Sequence, residues 1–488
     1  MSVPRHTIYN MAGAAVPILV SLATVPLYLA RIGLDRYGVL AICWLILGYF
    51  NIFDFGLGRA ASQSIAALAE APARDRSRIF WASARVSGAL TLVAMVLLAP
   101  ACKLALDQIK VPTPALRGEF DAALPWLVAC LPLGLLNSLL NGALTGRREF
   151  LKVNLLGTVG STATALFPLL AAVAWGPNLS HLIAAALTAR LLTAGLLVAA
   201  CRRAVPLLKP ERPLPGEMRR LVSFGGWITV SNIIGPILAF WDRFLIGALL
   251  GSAAVALYVV PFNLVWQIVI LPGSLTSAMF PLLALAGPEE RERLSRRALG
   301  FLSLIMTPAL LGGLIVLGPF LHVWLGSEKG AASAPVGYLL LLGLWTNSFA
   351  LVPAARLEAQ AKPGILARLH LAEVLPYVAL LYPAVIVWGI RGAAVVWSLR
   401  CAVDTLLLFR LSRERMPPTI WVEALFVSAS AAVALFTPLG LPLRWILMLL
   451  LFAAGSAFVV WRHPEEVREV REAGAARVRA VLRREPQT

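Results

Sequence analysis

The chain has 488 residues, 59% of them hydrophobic and only 14% charged, well below the roughly 25% charge of a soluble domain. A net charge of +18 would suggest a nucleic-acid partner in a soluble protein. Here the basic residues sit in short gaps between long apolar runs, where they report membrane topology instead. Apolar runs of about 20 residues recur from end to end and are continuous, not alternating, which excludes a β-barrel and indicates an all-α polytopic membrane protein.

The first run follows Arg5 and continues to Ile32, too long for a signal-peptide core, and reads as a retained first span. Fourteen spans are expected. The first seven lie at 10–30, 38–58, 79–101, 122–144, 153–175, 181–201 and 221–247. The others lie at 254–282, 298–320, 334–355, 365–388, 391–411, 420–438 and 442–461. With the N-terminus inside, inner segments hold thirty-one of the 43 Lys and Arg, and outer loops hold eight. Four more, Arg85, Arg190, Arg243 and Arg400, fall inside spans. That asymmetry obeys the positive-inside rule and puts both termini in the cytoplasm.

A basic linker, Arg202-Arg203 through Arg219-Arg220, divides the chain after the sixth span. The two sides repeat with an offset of about 218 residues: Gly33 in RIGLDRYGVLA matches Gly251 in LLGSAAVALYV, and DRSR at 75–78 falls on RLSR at 293–296. Pro17 falls within one residue of Pro236 at the same offset. Six spans per unit make the repeats parallel, an arrangement in which transporters place substrate between the halves. The expected layout is an N-terminal lobe (1–203), a basic linker (204–220), a C-terminal lobe (221–412), spans thirteen and fourteen (413–463) and a cytoplasmic amphipathic tail (464–488). The two six-helix lobes would surround a central cavity, with the last two spans as an appendage facing lipid or a partner. Intraspan prolines such as Pro125, Pro132, Pro376 and Pro383 favour kinks, static or hinged.

Catalytic signatures are missing. There is no phosphate-cradling loop, the five histidines are scattered without metal-ligand spacing, and the five cysteines form no disulfide or metal pattern. No cofactor or metal is implied, and the short outer loops argue against an enzyme. What remains is a set of charges at membrane depth, each costing roughly 2.5–3.5 kcal/mol on insertion scales. Arg190 and Arg400 are mid-span guanidiniums suited to an anionic partner, since the fork matches phosphate or carboxylate with two parallel hydrogen bonds. Arg243, Trp241 and Gln267 are further substrate-binding candidates. Asp404, Glu373, Asp242, Asp54 and Arg59 are candidates for cation coupling or gating. Arg400 and Asp404 stand four apart on one helical face, close enough to pair. Each acid–base pair reads equally well as a structural lock between helices.

The stretch YLARIGLDRYGVLAICWLILGYFNIFDFGLGRAASQSIA (28–66) resembles the opening helices of polysaccharide flippases in the multidrug/oligosaccharidyl-lipid/polysaccharide exporter superfamily. WDRFLIGALLGSAAVALY (241–258) is similar to the family's second-half opening, and NGALTGRREFLKVN (141–154) to its span four–five loop. The resemblance implies a flippase moving an isoprenyl-diphosphate-linked oligosaccharide, carried on undecaprenyl diphosphate, across a bacterial cytoplasmic membrane for O-antigen, capsule or exopolysaccharide synthesis. It also implies polysaccharide polymerase or glycosyltransferase partners and no nucleic acid. Span one lacks the internal arginine of the lipid II branch, which disfavours a peptidoglycan precursor. The rivals are a cation-coupled multidrug exporter of the same superfamily, which would want an acidic cavity, and a membrane-embedded polysaccharide polymerase or ligase.

Overall fold

The computed structural model describes residues 3–49, 57–68, 71–205, 238, 241–360, 362–436 and 441–472, with side chains from Val16 onward save at isolated positions. All regular structure in that range is helical. In chain order the helices are α1 (Val3–Tyr49), α2 (Leu57–Ala67), α3 (Ala73–Asp107), α4 (Pro114–Gly146), α5 (Phe150–Ala174), α6 (Leu179–Ala204) and α7 (241–250). They continue with α8 (Ser252–Trp266), α9 (Ile270–Leu285), α10 (Pro288–Leu325), α11 (Ser327–Ala359) and α12 (Pro363–Leu411). The last are α13 (Pro418–Phe436), α14 (Leu441–Arg462) and α15 (464–472).

Among the described residues, eleven stretches are long and apolar enough to cross a membrane. Two of them are fold-backs. Gly33 (φ 77, ψ 171) breaks α1, and Gly389 (φ 60, ψ −141) breaks α12. Tyr28 and Trp44 stand sixteen positions apart, ~24 Å along a continuous helix at 1.5 Å per residue. Their rings lie 5.7 Å apart, so α1 turns back on itself at Gly33. Expected span one (10–30) and residues 38–49 of expected span two (38–58) fall within α1, and spans eleven and twelve within α12; residues 50–56 of span two lie outside the described residues. Span seven (221–247) falls largely outside the described residues, as do Pro236 and most of the basic linker.

Gly33 and Gly251, matched by the sequence offset, both adopt positive φ (77° and 94°). The later turns of each half do the same at Gly176 (φ 91) and Gly389 (φ 60). A left-handed backbone costs a Cβ-bearing residue roughly 1–2 kcal/mol, so glycine at all four turns has a direct physical cause.

The chain packs into two compact units, Met1–Val259 and Val260–Thr488. The division falls inside α8 because α7 and the start of α8 are bonded to the first unit. Lys110 N–H donates to the Gly247 carbonyl (3.1 Å), the Lys110 carbonyl accepts from Ser252 N–H (3.1 Å), and Lys110 Nζ donates to the Leu249 carbonyl (3.0 Å). Ser252 Oγ donates to Asp35 Oδ1 at 2.7 Å. Gly38 makes room for this approach, since a Cβ there would overlap the Ser252 carbonyl. The first unit has a core of Ala61, Ile65, Phe80, Leu139, Leu140 and Leu144, contributed by α2, α3 and α4, with Leu197 of α6 closing it. Caps fix its helix starts: Thr113 accepts from Leu116 N–H ahead of Pro114, and Asn178 accepts from Ser180 N–H.

In the second unit α11 packs between α10 and the arms of α12, around Ala350, Leu357, Leu369 and Leu408. The 3₁₀ turn Gln267–Val269 separates α8 from α9. Pro272 accounts for it, because its ring would clash with the carbonyl four residues back. Helices α13 and α14 do not hang free: they pack on α10 and on each other. Glu423 of α13 is fully buried and accepts from Thr307 Oγ1 of α10 at 2.6 Å, while Trp345 Nε1 of α11 donates to the same hydroxyl at 3.0 Å. The tail is helical to residue 472, where Glu469 pairs with Arg297 of α10; residues 473–488 lie outside the described range.

Candidate functional site

Three guanidiniums, the buried Arg243 and the half-buried Arg190 and Arg400, lie within apolar helices, and each has a different electrostatic environment. Arg190 projects from α6 towards α4, beside the fully buried Cys130, with Nη1 3.6 Å from where a Cβ on Gly134 would stand. A larger residue at 134 would crowd the fork. Among the described residues Arg190 makes no ion pair or hydrogen bond, and its buried Nε has no acceptor. Asn137 and Asn141 follow Gly134 at helical spacing on α4, and each has a buried amide oxygen without a partner. Sequence reading passed over these asparagines, although neutral amides inside an apolar helix were a visible signal.

Arg243 is the opposite case. Its side chain and that of Asp242 are 2% and 0% exposed, and Nη1 meets Oδ1 at 3.1 Å. Asp242 also accepts from the Arg243 backbone N–H (2.8 Å) and from Tyr258 Oη (2.6 Å). The guanidinium lies 6.0 Å from the Tyr258 ring centroid. This is a closed acid–base–phenol unit linking α7 to α8.

Arg400 is intermediate, and the fold-back of α12 makes it so. Glu373 stands twenty-seven positions earlier, ~40 Å away along a continuous helix. Instead Arg400 Nη1 lies 3.5 Å from Glu373 Oε2, and His370 Nε2 lies 3.7 Å from Asp404 Oδ1. The expected Arg400–Asp404 partnership along one helix is therefore not the pairing observed. The reversal at Gly389 brings nearer partners from the other arm, including His370, which had looked isolated. The Arg400 guanidinium also lies 5.8 Å from the Tyr377 ring, and Nη2 lies 3.8 Å from Cys401 Sγ. A cavity of about 200 Å³ adjoins Glu373 and Arg400, lined otherwise by apolar side chains such as Leu369, Pro376, Val396 and Val403.

A family model described as "Polysaccharide biosynthesis protein" matches residues 3–287. The chain belongs to this family. A putative O-antigen transporter from Shigella flexneri is 30% identical over 84% of this chain and 97% of its own length. Among solved structures, a lipid II flippase superposes with a TM-score of 0.70 at 11% identity, covering 95% of this chain and 99% of that one. An inward-facing multidrug resistance transporter of the MATE family gives 0.67 at 15% identity, covering 86% and 98%. At those identities the structures establish the fold alone. Membership in a family of polysaccharide export proteins makes this chain a multi-pass membrane protein of the flippase and exporter kind, not an enzyme.

The remaining site candidates are dispersed. Trp241 is 42% exposed at the start of α7. Gln267 is exposed at the 3₁₀ break, next to Trp266, which stacks on Phe262 (5.6 Å, 17°); Trp397 meets Phe262 edge-on at 5.4 Å. Asp54, and the side chain of Arg59, lie outside the described residues. Among the described residues no three His, Cys, Asp or Glu side chains gather as metal ligands.

Proposed function

We propose that this family member translocates an isoprenyl-diphosphate-linked oligosaccharide, with undecaprenyl diphosphate as carrier, from the inner to the outer leaflet of a bacterial cytoplasmic membrane. The observation that carries the reading is Arg190. A guanidinium with no counter-charge among the described residues, inside an apolar helix, is costly unless an anion visits it. A diphosphate is the anion that a polysaccharide export protein would meet. Arg400, held only loosely, is a second guanidinium suited to an anionic head group. Trp241 and Gln267 offer stacking and amide surfaces for sugar. The matched pair Asp242–Arg243 acts in gating and meets ligand only if its partners exchange. Twelve of the fourteen spans form two six-span halves, 1–203 and 221–412, that alternate access, with spans thirteen and fourteen at 413–463 and both termini cytoplasmic. Asp54 and Arg59 belong to gating, and a polymerase and glycosyltransferases act beside the protein.

The fold likeness to a multidrug transporter keeps a cationic-drug exporter as the rival. An unopposed Arg190 disfavours it, because a cationic drug would be repelled where a diphosphate is drawn in. In a strain lacking the native gene, Arg190→Ala and Arg400→Ala should each sharply reduce surface polysaccharide and accumulate lipid-linked precursor at normal protein levels. Wild-type polysaccharide in both variants overturns the proposal.

A further inference from the structure

Two other charged groups of the chain are tightly held. Arg36 meets Glu119 through two hydrogen bonds of 2.6 and 3.0 Å, and Asp242 is saturated by Arg243 and Tyr258. The cluster on the two arms of α12 is loose by comparison. Arg400–Glu373 and His370–Asp404 stand at 3.5 and 3.7 Å, beyond good hydrogen-bond length. Neither oxygen of Glu373 has a hydrogen-bond partner, nor has Asp404 Oδ1 or Arg400 Nε. Yet Glu373 and Asp404 are only 7% and 4% exposed. A static lock would have closed these distances.

The charge count is also unbalanced. Two carboxylates face one guanidinium and one imidazole that is neutral unless it takes a proton. The other groups facing the cluster from its own helix are Cys401 and Tyr377. Helix α11, packed against both arms, offers only neutral groups there, such as the Thr346 carbonyl that accepts from Thr405 at 3.0 Å. Its nearest end charge, Arg356, is paired with Glu414 at 3.8 Å. With Arg400 balancing one carboxylate, a single proton leaves the cluster neutral. The adjoining cavity of about 200 Å³ has room for waters or a phosphoryl group beside Arg400.

We propose that the Glu373–Asp404–His370–Arg400 cluster is a proton-binding site coupled to cargo: an anionic diphosphate entering the cavity draws Arg400 away from Glu373, and the cluster takes up one proton in exchange. The proton adds to a carboxylate oxygen or to the His370 ring, so the buried groups stay neutral while the guanidinium changes partners. Mid-membrane charge is thereby matched with cargo present or absent. The inference rests on the anionic cargo proposed above.

Calorimetry on the full-length protein in detergent tests it, with farnesyl diphosphate as probe, at pH 8, in buffers of differing ionisation enthalpy. The slope of observed binding heat against buffer ionisation enthalpy counts protons taken up. About one is expected for the wild type. Close to zero is expected for Glu373→Gln/Asp404→Asn, whose own binding also subtracts any protonation of the probe. His370→Gln is a gentler variant if the double substitution is not monodisperse, and should lower the wild-type count. Wild-type binding with no proton uptake overturns the proton site and leaves the flippase reading intact. So does an equal count in wild type and double variant, or binding that requires sodium in place of choline and releases no buffer heat. Absence of any binding overturns the site together with the assignment of the head group to Arg400, and precursor accumulation in Arg190→Ala cells then decides the transport reading separately.

Discussion

Arg190 and Arg243 carry the same cation in the same compact unit, and the chain treats them in opposite ways. Arg243 is enclosed with Asp242, its neighbour on α7, and with Tyr258 of α8, whose hydroxyl donates to that acid. Arg190 is placed against Gly134 and Cys130 with nothing negative in reach among the described residues. Sequence position made the first look exceptional, because its acid neighbour is adjacent. The partner set shows that a matched buried charge holds helices together, whereas an unmatched one waits for something from outside. Arg400, loosely matched, stands between these limits.

Substitution should separate the two roles. Arg243→Ala strands Asp242 in a site with no solvent, and breaking a buried pair in this way costs about 3–5 kcal/mol. Protein yield and thermal stability should therefore collapse, as read by fluorescence size-exclusion chromatography; normal yield would show that the pair is not structural. Arg190→Ala should do the reverse, with stability near wild type and transport reduced by roughly ten- to a hundred-fold, the worth of one or two charge-assisted bonds. Arg190→Lys should restore only part of it, since the charge remains and the fork is lost. An unfolded Arg190→Ala variant would erase the distinction.

Glu414, past the end of α12, sharpens the comparison with a charge whose matching depends on pH. Its side chain is 1% exposed and lies 3.8 Å from Arg356. Burial outweighs that arginine and lifts the carboxyl from 4.5 to about 7. A carboxyl with a raised folded value favours the fold most fully below its unfolded value, and that contribution is lost as pH rises through about 7. Wild-type melting temperature should fall relative to Glu414→Gln between pH 5 and 8, and parallel curves would refute the shift. The smallest effect belongs to Arg36→Ala. It breaks a partly exposed bidentate pair with Glu119 and should cost about 1 kcal/mol or less, measured by denaturation, with transport unchanged.

The helical class and the glycine turns are legible in the sequence because both depend on local chemistry. Apolar runs need only length, and a turn that demands a left-handed residue retains glycine at Gly33 and Gly251 alike. Membership in a polysaccharide export family is legible in the same opening motifs, and Gly38 owes its place there to the passing Ser252 backbone. The charge partners are not legible. Arg400 and Asp404 look like a pair because a lone helix offers only neighbours three and four apart. Glu373 and His370 become partners once the chain reverses at Gly389. Nothing local to Tyr258 shows that α8 brings its hydroxyl onto Asp242. Glu423 gives no hint that its partner Thr307 lies on α10.

Glu423 also decides what can be trimmed from this protein. A version ending at residue 412, with one twelve-span duplication and nothing more, would look complete by symmetry. It would leave Thr307 with a hydroxyl proton that now goes to that carboxyl and only hydrocarbon in its place, while Trp345 still donates to the same hydroxyl oxygen. The last two helices are therefore part of how the second unit satisfies its buried polar groups, and trimming them leaves a donor without an acceptor.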